Sequence, residues 1–498
     1  MNGMITVKVN GHPVAAVAGM TLSEIVRGEK PCGGHGRCGK CRVVARGKLS
    51  PPSEDEKRLL SEDDLARGVR LACLARALGD CEVEHQSELA ETQIVSGGAA
   101  MELARRPTFS RYGVAIDIGT TTLAARLYDT KGALLAEAAR INPQVECGAD
   151  VVSRIEVALA GGAERLASLI CCALDEMIAE LASGAEIEAS EIERVVITGN
   201  TVMLSLLTQE SVEPFSHAPF DARRLFGEEM TAHALSLSHL APHTPVYLPR
   251  CISAFVGADT TCAILATRLC EGEAAMLADI GTNGEMALWH GGTLTVCSTA
   301  AGPAFEGVGI SCGMRGAVGA IDRVMVVNGT LHTHTIGERA PVGICGSGLC
   351  DAVACLLDLE WLDESGYLED EPVLLSGAVS LTQKDIRMLQ LAKSAICAGL
   401  STLASHKGLA VGDLPVLHIA GGFGHYLNMR SAARIGLLPA ALAGVARAVG
   451  NAALDGAAML LLDKDSRERA ESLAENAETL ELSTNATFAE LYIEGMGF

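Results

Sequence analysis

The sequence lacks the excess of basic residues that a nucleic-acid-binding protein needs. Its 498 residues include 39 Lys and Arg against 61 Asp and Glu, which gives a formal net charge of −22. Because a phosphate backbone is attracted to a basic face, nucleic acid is not expected among its partners. A local basic patch, or docking to a basic partner protein, is compatible with this charge.

Long hydrophobic runs are also missing. No apolar run reaches about 18 residues without a charge, so no membrane span is expected. The Ala- and Leu-rich stretch at 437–462 is interrupted by Arg447 and Asp455. The first residues do not join a charged region to an apolar core, so no signal peptide is expected. The 17 cysteines are odd in number and scattered, which favours a reducing cytoplasm with some as metal ligands and others as buried apolar side chains.

A cysteine-rich segment lies near the start of the chain. Residues 31–41 read Pro-Cys-Gly-Gly-His-Gly-Arg-Cys-Gly-Lys-Cys, with three cysteines at Cys-x5-Cys-x2-Cys spacing. Glycines permit the tight turns and bring backbone N–H groups close to sulfur. The spacing resembles that of plant-type and adrenodoxin-type ferredoxins, which hold a 2Fe–2S cluster. The predicted ligands are Cys32, Cys38, Cys41 and Cys73.

Three alternatives fit the sequence less well than this ligand set. Cys81 is the nearby rival for the fourth position, but it lies within a strand-like run, which favours Cys73. His35 is expected to be a solvent-facing loop residue, since four cysteines suffice. A zinc knuckle, or unrelated core cysteines, fits the glycine density less well.

The residues around the cysteines predict a small α+β unit. Strands are expected at 5–9, 14–17, 41–45, 69–73 and 81–84, and helices are expected from Thr21 and over 53–66. Asn10-Gly11 is a hairpin turn signal, and Thr21 with Glu24 resembles a capping box. The order hairpin, helix, strand, helix, strand is that of a β-grasp ferredoxin. We therefore predict a 2Fe–2S ferredoxin-like domain over 1–92 and a linker over 93–110.

The remaining sequence contains an internal repeat. Residues 114–121 read Val-Ala-Ile-Asp-Ile-Gly-Thr-Thr, and 276–283 read Met-Leu-Ala-Asp-Ile-Gly-Thr-Asn. Each is an apolar strand that runs into Asp-Ile-Gly-Thr and is followed by another strand-like run. Alternating strand and helix patterns surround both. This predicts a duplicated α/β domain with a cleft between its halves, 111–270 and 271–498.

The repeated turns predict a nucleotide site. Gly and Thr let backbone amides and hydroxyls approach phosphate oxygens, and an Asp at each strand end can orient a hydrated Mg²⁺. A third strand runs into a glycine-rich turn at 416–424, where backbone could pack against an adenine ring. The predicted cofactor-binding residues are Asp117, Gly119, Thr120, Thr121, Asp279, Gly281, Thr282, Asn283, Gly421, Gly422 and Gly424. The candidate catalytic residues are Asp117, Asp279, Glu285 and Glu306, although Glu285 and Glu306 could equally be ordinary polar residues beside a turn.

These motifs resemble the nucleotide site of the actin, sugar-kinase and heat-shock-chaperone ATPases, which have a ribonuclease-H-like fold. With the cysteine segment in front, and with the phrases at 142–151, 198–203, 299–307 and 343–348, nearly the whole chain resembles the reductive activators of corrinoid-dependent enzymes. The chain is short for that family, so an extra middle segment of longer relatives is expected to be reduced.

The resemblance implies a homodimeric, cytoplasmic protein. Its relatives use ATP hydrolysis to drive one electron from a 2Fe–2S cluster onto an inactive Co(II) corrinoid protein, which restores Co(I) for a methyltransferase system. A low-potential electron donor would load the cluster.

Other functions are compatible with parts of the sequence. A small-molecule kinase with a fused electron-transfer domain would share the ATPase motifs, and a redox sensor or scaffold would use ATP only as a conformational ligand. Dehydratase activators share the ATPase fold but hold their cluster at the dimer interface. The Gly-x-Ser-x-Gly string at 309–313 matches a nucleophile elbow without placed His and Asp partners, so hydrolase chemistry is disfavoured.

Overall fold

The N-terminal part of the chain folds around one five-stranded sheet. The computed structural model describes residues 4–26, 34, 36–37, 39–84 and 106–498. The first strands are β1 Met4–Val9, β2 His12–Val17, β3 Arg42–Leu49, β4 Val69–Leu71 and β5 Ala77–Glu84, and the helices are α1 Leu22–Val26, α2 Glu54–Leu59 and α3 Glu62–Ala66. The sheet order is β2-β1-β5-β3-β4, with β1 and β5 parallel. This is the predicted β-grasp arrangement.

The helix expected over 53–66 is two short helices. Ser53 caps α2 and Ser61 caps α3, and each forms its own capping box. A capping box satisfies the first N–H groups of a helix, so the second box starts a new helix where the periodic pattern predicted continuation. The amphipathic pattern alone does not distinguish one helix from two.

A buried ion pair ties α2 to β4. Glu56 accepts hydrogen bonds from Arg70 Nε and Nη2, both at 2.9 Å, and from the Leu71 amide at 3.1 Å. Burial opposes ionisation, but these hydrogen bonds hold the pKa of Glu56 below its usual value. The pair fixes the strand that leads directly into Cys73.

The next part of the chain forms a six-stranded sheet. Its strands are β6 Tyr112–Ile118, β7 Thr122–Asp129, β8 Leu134–Ile141, β9 Ile192–Gly199, β10 Glu228–Thr231 and β11 Pro245–Leu248, and its helices are α4 Val151–Val157, α5 Ala163–Gly184, α6 Thr201–Leu207 and α7 Ala258–Ala266. The order is β10-β11-β9-β6-β7-β8. The hairpin β6–β7 lies beside β9, which is parallel to β6.

A second six-stranded sheet repeats this plan. Its order is β21-β20-β12-β13-β14-β22, and smaller sheets contain β15–β17 and β18–β19. The strands are β12 Ala274–Ile280, β13 Gly284–His290, β14 Thr293–Thr299, β15 Ala320–Val327, β16 Thr330–Thr335, β17 Gly343–Ile344, β18 Val373–Ser376, β19 Val379–Leu381, β20 Leu417–Ala420, β21 Ala446–Gly450 and β22 Glu478–Thr479. The helices are α8 Gly346–Asp358, α9 Gln383–His406, α10 Gly421–Tyr426, α11 Met429–Arg434, α12 Ala452–Leu462, α13 Asp465–Asn476 and α14 Ala486–Glu494. The hairpin β12–β13 has the position that β6–β7 has in the first sheet, which confirms the predicted duplication.

Two helices lie between the sheets. Helix α12 packs on α7 so closely that a Cβ at Gly456 would lie 2.0 Å from the Cys262 carbonyl oxygen. Side chains of α12 also cover one face of the first sheet, where Ala115 is fully buried. A buried ion pair between Arg126 and Asp455, at 2.6 Å, joins α12 to β7. The cleft between the halves therefore rests on a shared helical layer.

One described helical stretch, residues 151–184, is long and apolar enough by composition to cross a membrane. It is interrupted at Gly161, which has φ +94°. Leu166, Ile170 and Leu174 are fully buried in the core of the first half. These side chains belong to the core of the first half, so the stretch packs there as core helices.

Candidate nucleotide cleft and cluster ligands

The two predicted phosphate turns face a single cavity of about 290 Å³ between the sheets. Every predicted cofactor-binding residue except Gly424 lines it, and so do Glu285 and Glu306. Gly424 instead lies against β20, where a Cβ would be 2.5 Å from the Ile419 side chain. The structure thus brings together motifs that are separated by some 300 residues of sequence.

The first turn is held by residues outside the motif. Gly119 N donates to Thr122 O at 2.9 Å, and a Cβ at Gly119 would lie 2.7 Å from that oxygen. Asn142 Nδ2 donates to Gly119 O at 2.9 Å, and the fully buried Arg154 donates to Thr120 O at 2.5 Å. Asn142, from the phrase at 142–151, and Arg154, in α4, therefore support the turn, a role that the sequence did not reveal.

The second turn and the glycine-rich turn meet at Asp279. In the parallel pairing of β12 with β20, Asp279 lies opposite Ala420, the residue before the glycines. Gly421 has φ +88°, and a Cβ there would be 2.5 Å from Asp279 Oδ1. A side chain would displace this carboxylate, so the position requires glycine. At Gly422 a Cβ would meet nothing within 4 Å, which leaves space for a ligand.

Four carboxyl groups gather in the cleft. Desolvation and the charge of Asp259 raise the pKa of Asp117 and of Asp279 to about 7, and desolvation raises the pKa of Asp259 to about 6. Glu285 lies opposite Asp279 in the hairpin. Desolvation and the charges of Asp259 and Asp279 raise its pKa as well. Carboxylates that repel one another in this way are stabilised by a bound cation.

Sequence reasoning missed Asp259. It lies in the first turn of α7, where its Oδ1 accepts from the Thr260 amide at 2.7 Å. The sequence feature that could have identified Asp259 is the string Gly-Ala-Asp-Thr-Thr at 257–261. It follows an apolar run, as the two repeated turns do. Asn451 was also missed; its Nδ2 donates to Asp117 Oδ2 at 3.0 Å.

Glu306 bridges the two turns. Its Oε2 accepts from Thr121 Oγ1 at 2.6 Å, and its Oε1 accepts from Thr282 Oγ1 at 2.5 Å. Each threonine belongs to a different half of the chain, so this one carboxylate joins the halves across the cleft. Glu306 therefore contacts both turns at once, and its candidate catalytic role stays a prediction.

The residues present fit Mg²⁺ and a nucleotide. The acidic cluster supplies oxygen ligands of the kind that Mg²⁺ takes directly or through water. The two glycine-threonine turns offer backbone N–H groups and hydroxyls suited to phosphate oxygens. Phe305 and Phe423, whose rings stack at 4.7 Å between centroids, form an apolar part of the lining.

We expect metal binding in this cleft to weaken as the pH falls below about 7. Asp117 and Asp279 have raised pKa values of about 7, so both carry protons for most of the time at pH 6 and are ionised at pH 8. A cation must displace these protons. Titration calorimetry should therefore show Mg²⁺ affinity rising roughly tenfold for each participating carboxylate between pH 6 and 8. Asp279→Asn should make that dependence shallower, and a flat profile in the unaltered protein would contradict the assignment.

Two of the predicted cluster ligands lie side by side. Cys41 precedes β3 and Cys73 follows β4, and their sulfur atoms are 3.2 Å apart. Both are partly exposed, and the glycine at 39, with φ +66°, has the backbone conformation that favours glycine. Two cysteine sulfur atoms this close together at a surface fit metal or cluster ligation.

Cys81 occupies a different environment. It lies in β5, is 7 % exposed, and its pKa is raised by burial and by Asp80. The geometry thus supports Cys73 over Cys81. Cys32, His35 and Cys38 lie outside the described residues, and the four-cysteine ligand set stays a prediction.

The cleft and the thiol pair define a class of protein: an actin-like ATPase with an N-terminal ferredoxin. Comparison with protein families agrees. Residues 6–78 match the 2Fe–2S iron–sulfur cluster binding domain, 112–271 match the RACo middle region, and 273–498 match the C-terminal domain of RACo, the ASKHA domain. The chain therefore has a 2Fe–2S ferredoxin domain and an ATPase domain that takes ATP and a divalent metal ion.

Individual relatives identify the family. The chain is 34 % identical over 418 residues to the corrinoid activation enzyme RamQ of Eubacterium limosum, covering 77 % of this chain and 69 % of that protein. It is 27 % identical over 420 residues to a Co(II) methylated amine-specific corrinoid protein reductase of Methanosarcina barkeri, covering 77 % and 76 %. A solved reductive activator for a corrinoid, iron–sulfur protein matches with a TM-score of 0.72 and 28 % identity over 99 % of this chain and 98 % of that one. The chain belongs to the RACo family of corrinoid-protein activators.

Proposed function

We propose that this protein uses ATP hydrolysis to drive the one-electron reduction of an inactive Co(II) corrinoid protein to Co(I). The observation that carries the proposal is the joining, in one chain of this family, of a surface thiol pair on a ferredoxin sheet to an acidic nucleotide cleft. When bound, the 2Fe–2S cluster supplies a single low-potential electron, and ATP with Mg²⁺ supplies free energy.

Reduction of the corrinoid is expected to need an input of free energy, which ATP hydrolysis would supply. A plant-type cluster has a potential near roughly −400 mV, and reduction of the corrinoid is expected to be uphill from there. For one electron each ~59 mV corresponds to about 1.4 kcal/mol, so a gap of about 200 mV costs roughly 5 kcal/mol. Coupling requires states of the protein that differ in affinity for nucleotide and for partner.

The residues of the cleft are suited to that coupling. Asp117 and Asp279, one on each half, would hold hydrated Mg²⁺ between the two phosphate turns. Glu306 keeps the turns in register through Thr121 and Thr282. Glu285 remains a candidate for orienting the attacking water, since it lines the cleft beside Asp279. Closure of the halves on ATP would change the surface offered to the corrinoid protein.

Further parts of the proposal concern the setting. We infer a cytoplasmic protein that forms a homodimer, accepts electrons from a low-potential donor and serves a methyltransferase system. Buried cysteines such as Cys251, Cys262 and Cys297 are free thiols, which suits a reducing compartment. The family assignment supports a corrinoid protein as the partner. The electron donor and the homodimer are inferred from the resemblance of the sequence to the reductive activators of corrinoid-dependent enzymes.

The test is cobalt reduction in a purified mixture. The protein with its cluster reduced, a corrinoid partner and MgATP should convert Co(II) to Co(I), followed by the cobalt absorption bands. Omitting nucleotide, or replacing ATP with a non-hydrolysable analogue, should abolish turnover. Equal rates without nucleotide would show that the energy coupling is wrong. An ATPase rate that rises with a sugar or carboxylate, and not with the corrinoid protein, would favour the kinase alternative.

A further inference from the structure

Lys40 reaches from the ferredoxin domain to the ATPase. It lies in the cluster loop, residues 32–41, between two predicted ligands of the cluster. Its ammonium donates to the carbonyl oxygen of Gly307 at 2.6 Å and to that of Ile310 at 3.0 Å. Hydrogen bonds from a charged donor are stronger than neutral ones, and two acceptors fix the direction of the side chain.

The two acceptors belong to a rigid turn, which we call the acceptor turn, residues 307–313. Gly307 has φ +76°, and a Cβ at Gly313 would lie 2.2 Å from the Gly307 carbonyl oxygen. The turn is closed by a hydrogen bond from Gly313 N to Ile310 O at 3.1 Å. Ser311 anchors it to α9 by donating its amide and hydroxyl to Asp385 Oδ1, at 2.6 and 3.0 Å. The carbonyl pair is therefore held in place before Lys40 arrives, which lowers the entropic cost of docking.

The acceptor turn begins next to Glu306. That carboxylate holds the Thr121 and Thr282 hydroxyls, one from each phosphate turn. A change in the separation of the two turns must therefore move Glu306 or break one of its hydrogen bonds. Because Gly307 is the next residue, the acceptor for Lys40 lies one peptide unit from the nucleotide cleft.

We propose that the acceptor turn is the docking site on the ATPase for the chain's own cluster loop, with Lys40 as its anchor, and that nucleotide in the cleft controls this docking. The partner surface is a pair of backbone carbonyls, and the occupant is the segment that carries the cluster. By linkage, a nucleotide that alters the acceptor turn alters the affinity for the loop, and docking alters nucleotide affinity by the same factor. The inference does not depend on which acceptor finally receives the electron.

The test is hydrogen–deuterium exchange on the full chain with its cluster in place. Lys40→Met removes the ammonium and keeps the length of the side chain. We expect amides of the acceptor turn to exchange about tenfold faster in this variant, which corresponds to about 1.4 kcal/mol. Lys40→Arg, which keeps the charge and the donors, should retain most of the protection. Lys8→Met, on the exposed face of β1, is the matched control and should exchange as the unaltered protein does.

A second measurement uses the unaltered chain. Adding a non-hydrolysable ATP analogue should change the exchange rate of amides in the cluster loop, far from the nucleotide in sequence. Exchange in Lys40→Met within twofold of the unaltered protein would overturn the docking site. If Lys40→Met fails to take up the cluster, as its visible spectrum would show, the nucleotide experiment decides. The proposal is then overturned if the analogue leaves the exchange rates of the cluster-loop amides unchanged. Neither readout involves cobalt, so failure here is distinct from failure of the proposed function.

Discussion

Asp279→Ala should reduce ATP hydrolysis by at least about 10³-fold while leaving the visible spectrum of the 2Fe–2S cluster intact. Asp279 begins the second phosphate turn and lies beside Gly421, and we propose that its carboxylate orients Mg²⁺. A metal ion contributes several kcal/mol of charge stabilisation to phosphoryl transfer, and each 1.36 kcal/mol is a factor of ten in rate. Cys41 and Cys73, which flank strands β3 and β4 of the five-stranded sheet, should be unaffected.

Steady-state phosphate release measures this loss. Asp413→Ala is the matched control, because Asp413 is an exposed aspartate in the segment that precedes β20. It should hydrolyse ATP at the unaltered rate. Activity of Asp279→Ala within tenfold of that rate would remove Asp279 from the catalytic residues and leave Asp117 and Asp259 as the carboxylates to test.

Cys73→Ala should lose the cluster, whereas Cys81→Ala should keep it. Cys73 is partly exposed with its sulfur 3.2 Å from that of Cys41, whereas Cys81 is buried in β5. Substitution of a residue that merely supports a metal ligand costs about 10- to 100-fold in metal affinity. Loss of a ligand itself should therefore cost at least about 100-fold. Iron content and the visible absorption of the purified variants measure the result.

ATPase assays of the same two variants distinguish loss of the cluster alone from misfolding of the whole chain. At saturating ATP both should retain ATPase activity, since neither Cys73 nor Cys81 lines the cleft. Cys38→Ser is expected to behave like Cys73→Ala. A cluster that survives Cys73→Ala and disappears in Cys81→Ala would reverse the choice of fourth ligand.

The sequence predicted those parts of the fold in which local pattern and tertiary position agree. The Asp-Ile-Gly-Thr turns each follow a continuous apolar strand, as expected for strands buried on both faces. Their repetition indicated two equivalent halves, and the structure places Asp117 and Asp279 at equivalent points of the two sheets. The glycine turn at 421 was recognisable as a glycine-rich string after an apolar strand, and the structure shows that Gly421 is needed beside Asp279.

The rest depended on contacts that no local pattern encodes. Asp259 begins an ordinary-looking helix, and only the packing of α7 between the sheets brings it to the cleft. Arg154 is a buried arginine that holds the Thr120 carbonyl, and a single arginine in an amphipathic stretch gives no sign of such a role. The break between α2 and α3 depends on competition between two capping boxes, which helical periodicity does not report.

The position of α12 has a consequence for synthesis of the protein. The face of the first sheet that contains Ala115 and Ala124 is covered by α12, whose residues 452–462 come more than 300 residues later in the chain. At about 5–20 residues per second, this sheet emerges from the ribosome on the order of tens of seconds before its cover exists. During that time an apolar surface of β6, β7 and β9 is exposed to other nascent chains. We therefore expect the yield of folded protein in a cell to depend on how well this surface is shielded until the last quarter of the chain has been translated.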